Sequence, residues 1–254
     1  MSAVFHAVRA SFVVGIFASA ALAAGCGSQG AGDEGSTESA AKTNQGEAFS
    51  LEGFESFHPQ GEAKTYYSGF DGTNDYVAPV AFFADTPPTV SFGDPSVAEL
   101  QGKPLTITKK MVKDLPDALD GRLQLLLVKT KKAGKTSITA TSGKITQKAT
   151  LNVEQYKESD VALGQKRYEE GAPACTSCHA SMAVHNPTML VDLSDDTILG
   201  IAVEGKSIEQ VSTETGAVET LQPNHGSHKW KVTEEERVGL MAFLRSRSIT
   251  FQLP

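Results

Sequence analysis

Apolar positions change their spacing three times along the chain. Residues 10–24 form an unbroken run of apolar or small side chains, with Phe12, Val13, Val14, Ile16 and Phe17 leading into alanines. Such a run is short for a membrane-spanning helix and suits the core of an export signal. Residues 27–50 carry Gly, Ser, Ala, Thr and acids with no apolar period, the composition of a solvated tether. From about 64 to 156, short β-rich runs lie at 76–83, 89–92, 104–108, 123–128, 136–141 and 149–153. Turn pairs such as Asp71-Gly72, Asp94-Pro95, Asp120-Gly121 and Ser142-Gly143 punctuate them. About seven short strands at this spacing predict an antiparallel sandwich.

Beyond 158 the period lengthens to that of helices. Ser159 and Asp160 open a helix in which Gly164 and Tyr168 share one face. Ser194 is placed to cap a second helix, with Asp195 and Asp196 in its first turn, Ile198, Leu199, Ile201 and Ala202 following, and Gly205 as its stop. Thr233 with Glu236 is a capping box, and Leu240, Phe243 and Leu244 form the apolar face behind it. The expected organisation is 1–25 signal peptide, 26–62 acidic tether, 63–156 sandwich and 157–254 helical domain.

Length and charge narrow the function. The chain has 254 residues and a formal charge of −7, enough for two domains of roughly 100 residues each. An acidic balance argues against nucleic acid as a partner, since phosphate binding needs a basic surface. Much of the acidity lies in the tether, where Asp33, Glu34, Glu38, Glu47, Glu52, Glu55 and Glu62 face only Lys42, so net charge does not define a docking face. Three cysteines, Cys26, Cys175 and Cys178, are too few for a disulfide framework.

Each cysteine sits in a motif. Leu22-Ala23-Ala24-Gly25-Cys26 resembles a bacterial lipobox, with the usual leucine displaced by one position. The resemblance implies lipidation of Cys26 and a stable membrane anchor through two or more acyl chains. Gly27 following it, in place of an aspartate, implies the outer membrane of the bacterial envelope, on its periplasmic side. The phrases at 91–98 and 133–143 resemble bacterial Ig-like (group 2) domains, which implies a stalk or adhesion module for the sandwich.

Cys175-Thr176-Ser177-Cys178-His179 is a C-x-x-C-H. Two thiols three residues apart can form thioethers with the two vinyl groups of one haem, and the adjacent His179 then falls beneath the iron as proximal ligand. A disulfide oxidoreductase would expect a thioredoxin-like βαβ context, which does not precede Cys175. A zinc site needs further ligands at metal spacing, and a structural disulfide has no use for His179. Together with Gly164, Tyr168, Gly239 and Phe243 at the two outer helices, the motif resembles class I monohaem cytochrome c. That resemblance implies an all-α cytochrome c domain, and hence a multidomain chain with an all-β Ig-like sandwich followed by that domain.

The distal iron ligand departs from the family pattern. The stretch 222–229 before the last helix contains no Met but does contain His225 and His228, beside Trp230. His228, in a His-Lys-Trp sequence resembling a subgroup of small cytochromes c, is the first candidate, with His225, Met189 or an open site as alternatives. His185 reads as a surface or haem-edge hydrogen-bonder, and Met241 as core. The resemblance implies an electron-transfer protein with one covalent haem c and redox proteins as partners, not an enzyme with a small-molecule substrate. Two other classes remain: a five-coordinate haem sensor or peroxidase-like enzyme, and an adhesion or structural lipoprotein.

Overall fold

Alternating burial in the strands at 134–142 and 145–155, beside strands at 77–83 and 123–130 that are buried at most positions, organises the first half. The computed structural model describes residues 47–48, 64–113, 115–177, 185–206, 208–211, 218–221, 230–247 and 249–250. These all fall within one compact unit, 40–254. The strands are β1 (Glu47–Ala48), β2 (Lys64–Phe70), β3 (Val77–Phe83), β4 (Thr89–Phe92), β5 (Ala98–Leu100), β6 (Leu105–Ile107), β7 (Leu123–Thr130), β8 (Gly134–Ser142) and β9 (Ile145–Gln155). In β9, Gln147, Ala149, Leu151 and Val153 point inward while Lys148 and Glu154 point out, the period of two expected of a half-buried strand.

One sheet runs β2-β9-β8-β4; the other runs β3-β7-β5, with β6 also on β7. Tyr66, Ile138 and Leu151 from the first meet Val80, Leu125 and Val128 from the second in a shared core. Gln147 links the sheets. Its side-chain oxygen accepts from Phe83 N–H at 3.2 Å and its amide donates to Phe83 O at 3.0 Å, so this buried amide is satisfied at both ends. The pairing is not wholly antiparallel, because β2 lies parallel to β9, in register from Lys64↔Ala149 to Phe70↔Gln155. Parallel neighbours need a long crossover, and here the rest of the sheet region supplies it.

The second half is α1 (Glu158–Glu170), α2 (Pro187–Leu190), α3 (Asp195–Ala202), β10 (Ile208–Val211), β11 (Val218–Leu221), α4 (Glu234–Ser246) and β12 (Ile249–Thr250). The all-α cytochrome c domain expected here, and with it the division into an all-β domain followed by an all-α one, is overturned. An antiparallel hairpin, β10–β11, separates α3 from α4, and β12 pairs in parallel with β1. The helices are short, with α1 and α4 the longest at 13 residues each. The reason is legible afterwards: Ile208, Val211, Val218 and Thr220 are β-branched residues in two four-residue runs, too short for a helix and suited to a hairpin. No described helix is long and apolar enough to cross a membrane.

Caps set the helix starts. Thr233 N–H donates to Glu236 Oε2 at 2.7 Å and Glu236 N–H to Thr233 Oγ1 at 3.2 Å, closing the predicted capping box of α4. Ser194 Oγ accepts from Thr197 N–H at 3.2 Å at the start of α3. Helix α1 begins one residue earlier than Ser159, and Asp160 caps it from inside by accepting from Lys157 N–H at 2.8 Å. Helices α1 and α4 cross at bare backbone: a Cβ on Gly164 would overlap the Gly239 carbonyl, and a Cβ on Gly239 would sit 3.0 Å from Gly164 N. Tyr168 and Phe243 lock the crossing, with ring centroids 5.3 Å apart.

The sheets and helices share their packing. Val191 belongs to the sheet core, whereas Tyr76 and Tyr156 belong to the helical core. These two rings stack at 6.0 Å over β2, where Gly69 leaves room that any Cβ would fill. Burial, reinforced by the Asp195 charge, pushes the Tyr156 phenol far above its ordinary range, so it stays protonated and donates to Asp195. Tyr67 N–H on the open edge of β2 donates to Val191 O at 2.6 Å. Lys64 pairs with Asp192 at 3.0 Å; burial holds that carboxyl above the usual carboxylate range and Lys64 pulls it partly back.

Arg245 closes this joint. It is 6% exposed. Its guanidinium donates to Leu190 O at 2.6 Å, to Leu193 O, and to Asp195 Oδ1 from two nitrogens at 2.9 and 3.1 Å. Replacing Arg245 by Met should lower folding stability by about 3 kcal/mol, because Asp195 and two carbonyls lose their donor; a wild-type denaturant midpoint in the variant would contradict this. Gly164→Ala should cost about 3 kcal/mol by forcing α1 off α4, read as a melting temperature lower by roughly 6–12 °C.

Candidate haem attachment site

Cys175 opens a short 3-10 turn, Cys175–Ser177, that follows α1. The turn is held locally: Ser177 N–H and its hydroxyl both donate to Ala174 O, at 3.2 and 2.6 Å. It is also held to the end of α1, where Thr176 Oγ1 donates to Glu169 O at 3.3 Å. Arg167 donates to Pro173 O at 2.8 Å one step earlier. Cys175 is therefore fixed and buried, packed in the same apolar cluster as Tyr168, Leu240 and Leu244.

Beside it lies a small cleft enclosing about 20 Å³, walled by α1, α3 and α4. Ile198, Leu199 and Val203 form one wall, and Leu240, Met241 and Leu244 another. Polar groups are few. His185 reaches the cleft, with its Nδ1 hydrogen-bonded to Tyr168 OH at 2.8 Å and its ring edge-on to the Tyr168 ring at 5.5 Å. Trp230 also lines the cleft; its backbone N–H donates to Val203 O at 3.0 Å, and the Arg167 guanidinium carbon lies over its ring at 5.4 Å.

The residues singled out in the sequence divide between the described part and the rest. Cys175 stands in the cleft wall, Tyr168 and Phe243 pack behind it, and Gly164 and Gly239 cross as anticipated. Met241, read as core, lines the cleft, and His185 meets it with a fixed ring. Met189 lies on α2, away from the lining residues. Cys178, His179, His225, His228 and Cys26 lie outside the described residues. Arg167 was missed; its one signal is a spacing of three from Gly164, which puts it on the face of α1 that meets α4.

The chemistry of the lining suits a porphyrin. A flat, largely apolar macrocycle needs apolar walls with a thiol among them, and Cys175 beside α3 and α4 supplies that lining; the enclosed space between the walls is about 20 Å³, room for one water, so the walls must part to admit the ring. The second thiol and the imidazole of the C-x-x-C-H follow three and four residues later. No family model matches the chain, and neither a curated protein nor a solved structure matches it.

Proposed function

We propose that this chain is an exported, lipid-anchored electron-transfer protein that carries one haem c on Cys175 and Cys178, with His179 as proximal iron ligand. The observation that carries the reading is the position of Cys175: buried, and in the wall of an apolar cleft made by three helices. Bound there, the haem iron would supply a one-electron Fe(II)/Fe(III) couple. Attachment adds each thiol across one vinyl group: a carbon–sulfur bond forms, the thiol hydrogen ends on the neighbouring carbon, and no atom is lost. The surroundings are mixed α and β, so the reading rests on the motif and the cleft and not on an all-α cytochrome fold.

His228 is the favoured distal ligand, with His225 as its alternative. Two imidazoles would set a lower reduction potential than a thioether and an imidazole, because thioether ligation raises it. With both axial positions filled there is no place for a substrate on iron, and redox proteins are the partners. Cys26 supplies the anchor, which places the protein on the periplasmic side of the envelope with the outer membrane favoured.

Two measurements test this. Intact-mass analysis of the exported protein, made in a bacterium able to mature c-type cytochromes, should show the added mass of one haem with nothing lost; Cys175→Ala should reduce covalent attachment severely. Absence of any porphyrin mass from the wild type would end the reading. Absorption spectra should lack the band near 695 nm of a methionine–iron bond and should change little with CO. Separately, Cys26→Ser should move the protein from the membrane pellet to the soluble fraction.

A further inference from the structure

The last turn of α1 holds more of the site than its sequence suggests. Arg167, Tyr168 and Glu169 are consecutive, and each binds a different point around the cleft. Glu169 O accepts from Thr176, Tyr168 OH meets His185, and Arg167 donates to Pro173 O. Arg167 alone reaches in two directions. It is 6% exposed. One nitrogen is fixed on Pro173 O at 2.8 Å while the guanidinium carbon lies over the Trp230 ring, 5.4 Å from its centre. Gly171 makes this possible, since a Cβ there would overlap the guanidinium. Glu236 is the nearby counter-charge, at 3.6 Å from Nε.

These two contacts fall at informative places in the chain. Pro173 is two residues ahead of Cys175, and Trp230 is two residues after His228. We propose that Arg167 is a positioning residue that ties the turn carrying Cys175 to Trp230, so that these two parts of the cleft lining keep one separation. The inference rests on the haem reading for its chemical meaning, but the tie itself is a property of the described residues. A planar fork that donates along its edge and stacks on its face can serve two segments at once. A lysine in its place is a point charge and keeps at most one of the two contacts. The competing account is that Arg167 merely neutralises Glu236 and stabilises the fold.

The test uses the full chain as purified, with Arg167→Lys, Glu236→Gln and Trp230→Phe. Glutamine preserves the capping box of α4 while removing the charge. Amide hydrogen exchange should accelerate roughly tenfold in Arg167→Lys, as expected for losing a charged hydrogen bond, at both 174–177 and the Trp230 backbone N–H. Trp230→Phe should loosen the second segment alone, and Glu236→Gln neither. In the haem-loaded protein, Arg167→Lys and Trp230→Phe should gain a CO-reactive, high-spin fraction at unchanged haem content, and Glu236→Gln should not. Wild-type exchange and CO behaviour in Arg167→Lys, with only a lower melting temperature, would overturn the tie. The same is true if Glu236→Gln reproduces the lysine variant. A wild-type protein without haem would overturn the haem reading, while the exchange measurements would still decide whether Arg167 joins the two segments.

Discussion

The Arg245 guanidinium is the interaction on which the remaining structure depends. A charge this deeply buried loses its hydration and is tolerated only when its donors are met. Here they are met by two carbonyls of the α2–α3 connection and by the Asp195 carboxylate in the first turn of α3. Arg245 itself lies in the last turn of α4. One side chain therefore fixes α3 against α4, the two walls that face each other across the cleft. Asp195 also receives Tyr156, which belongs to the end of the sheet region, so the same carboxylate records the position of the sheets. Losing the fork would leave the carboxylate with one donor and would free α3 to drift from α4.

That joint changes what the sheets do. A stalk on a flexible connection would carry the helical part without shaping it. In this chain the edge of β2 donates to Val191, Val191 enters the sheet core, and Tyr76 from the sheets enters the helical core. Edge strands left open invite pairing with other chains. The α2–α3 connection covers β2, and Pro79 removes a donor from the outer strand β3. The sheets and the cleft walls are thus packed together.

Much of this was legible in the sequence, for physical reasons that differ by element. The strand at 89–92 follows from alternation, that begun at 123 from the apolar run 123–128 bounded by a turn, and the α3 and α4 starts follow from Ser194 and Thr233, whose side chains satisfy local backbone donors. The glycine crossing was readable because close backbone approach admits only glycine. The parallel pairing of β2 with β9 was not readable, since residues over 80 positions apart leave no local trace. The β10–β11 hairpin was hidden because two four-residue runs carry little periodic signal beside the helices that flank them. The motif singled out Cys175, while the cleft beside it needed the three helices to be assembled.

The two buried cations share a logic that the sequence does not display. Eleven lysines lie between 64 and 148, yet the buried cations among the described residues, Arg167 and Arg245, are both arginines. Each lies near the end of its helix and bonds carbonyls of the turn that follows or packs there: Pro173 for the first, Leu190 and Leu193 for the second. Cations there also meet the negative end of the helix dipole. A lysine would have to satisfy its ammonium at one compact point, whereas the guanidinium spreads one charge over several fixed acceptors. Composition counts both residues alike as positive charge, and an amphipathic pattern counts both as polar. The pair that determines how the cleft walls stand is therefore invisible to either count, and appears only when burial is set beside hydrogen-bond geometry.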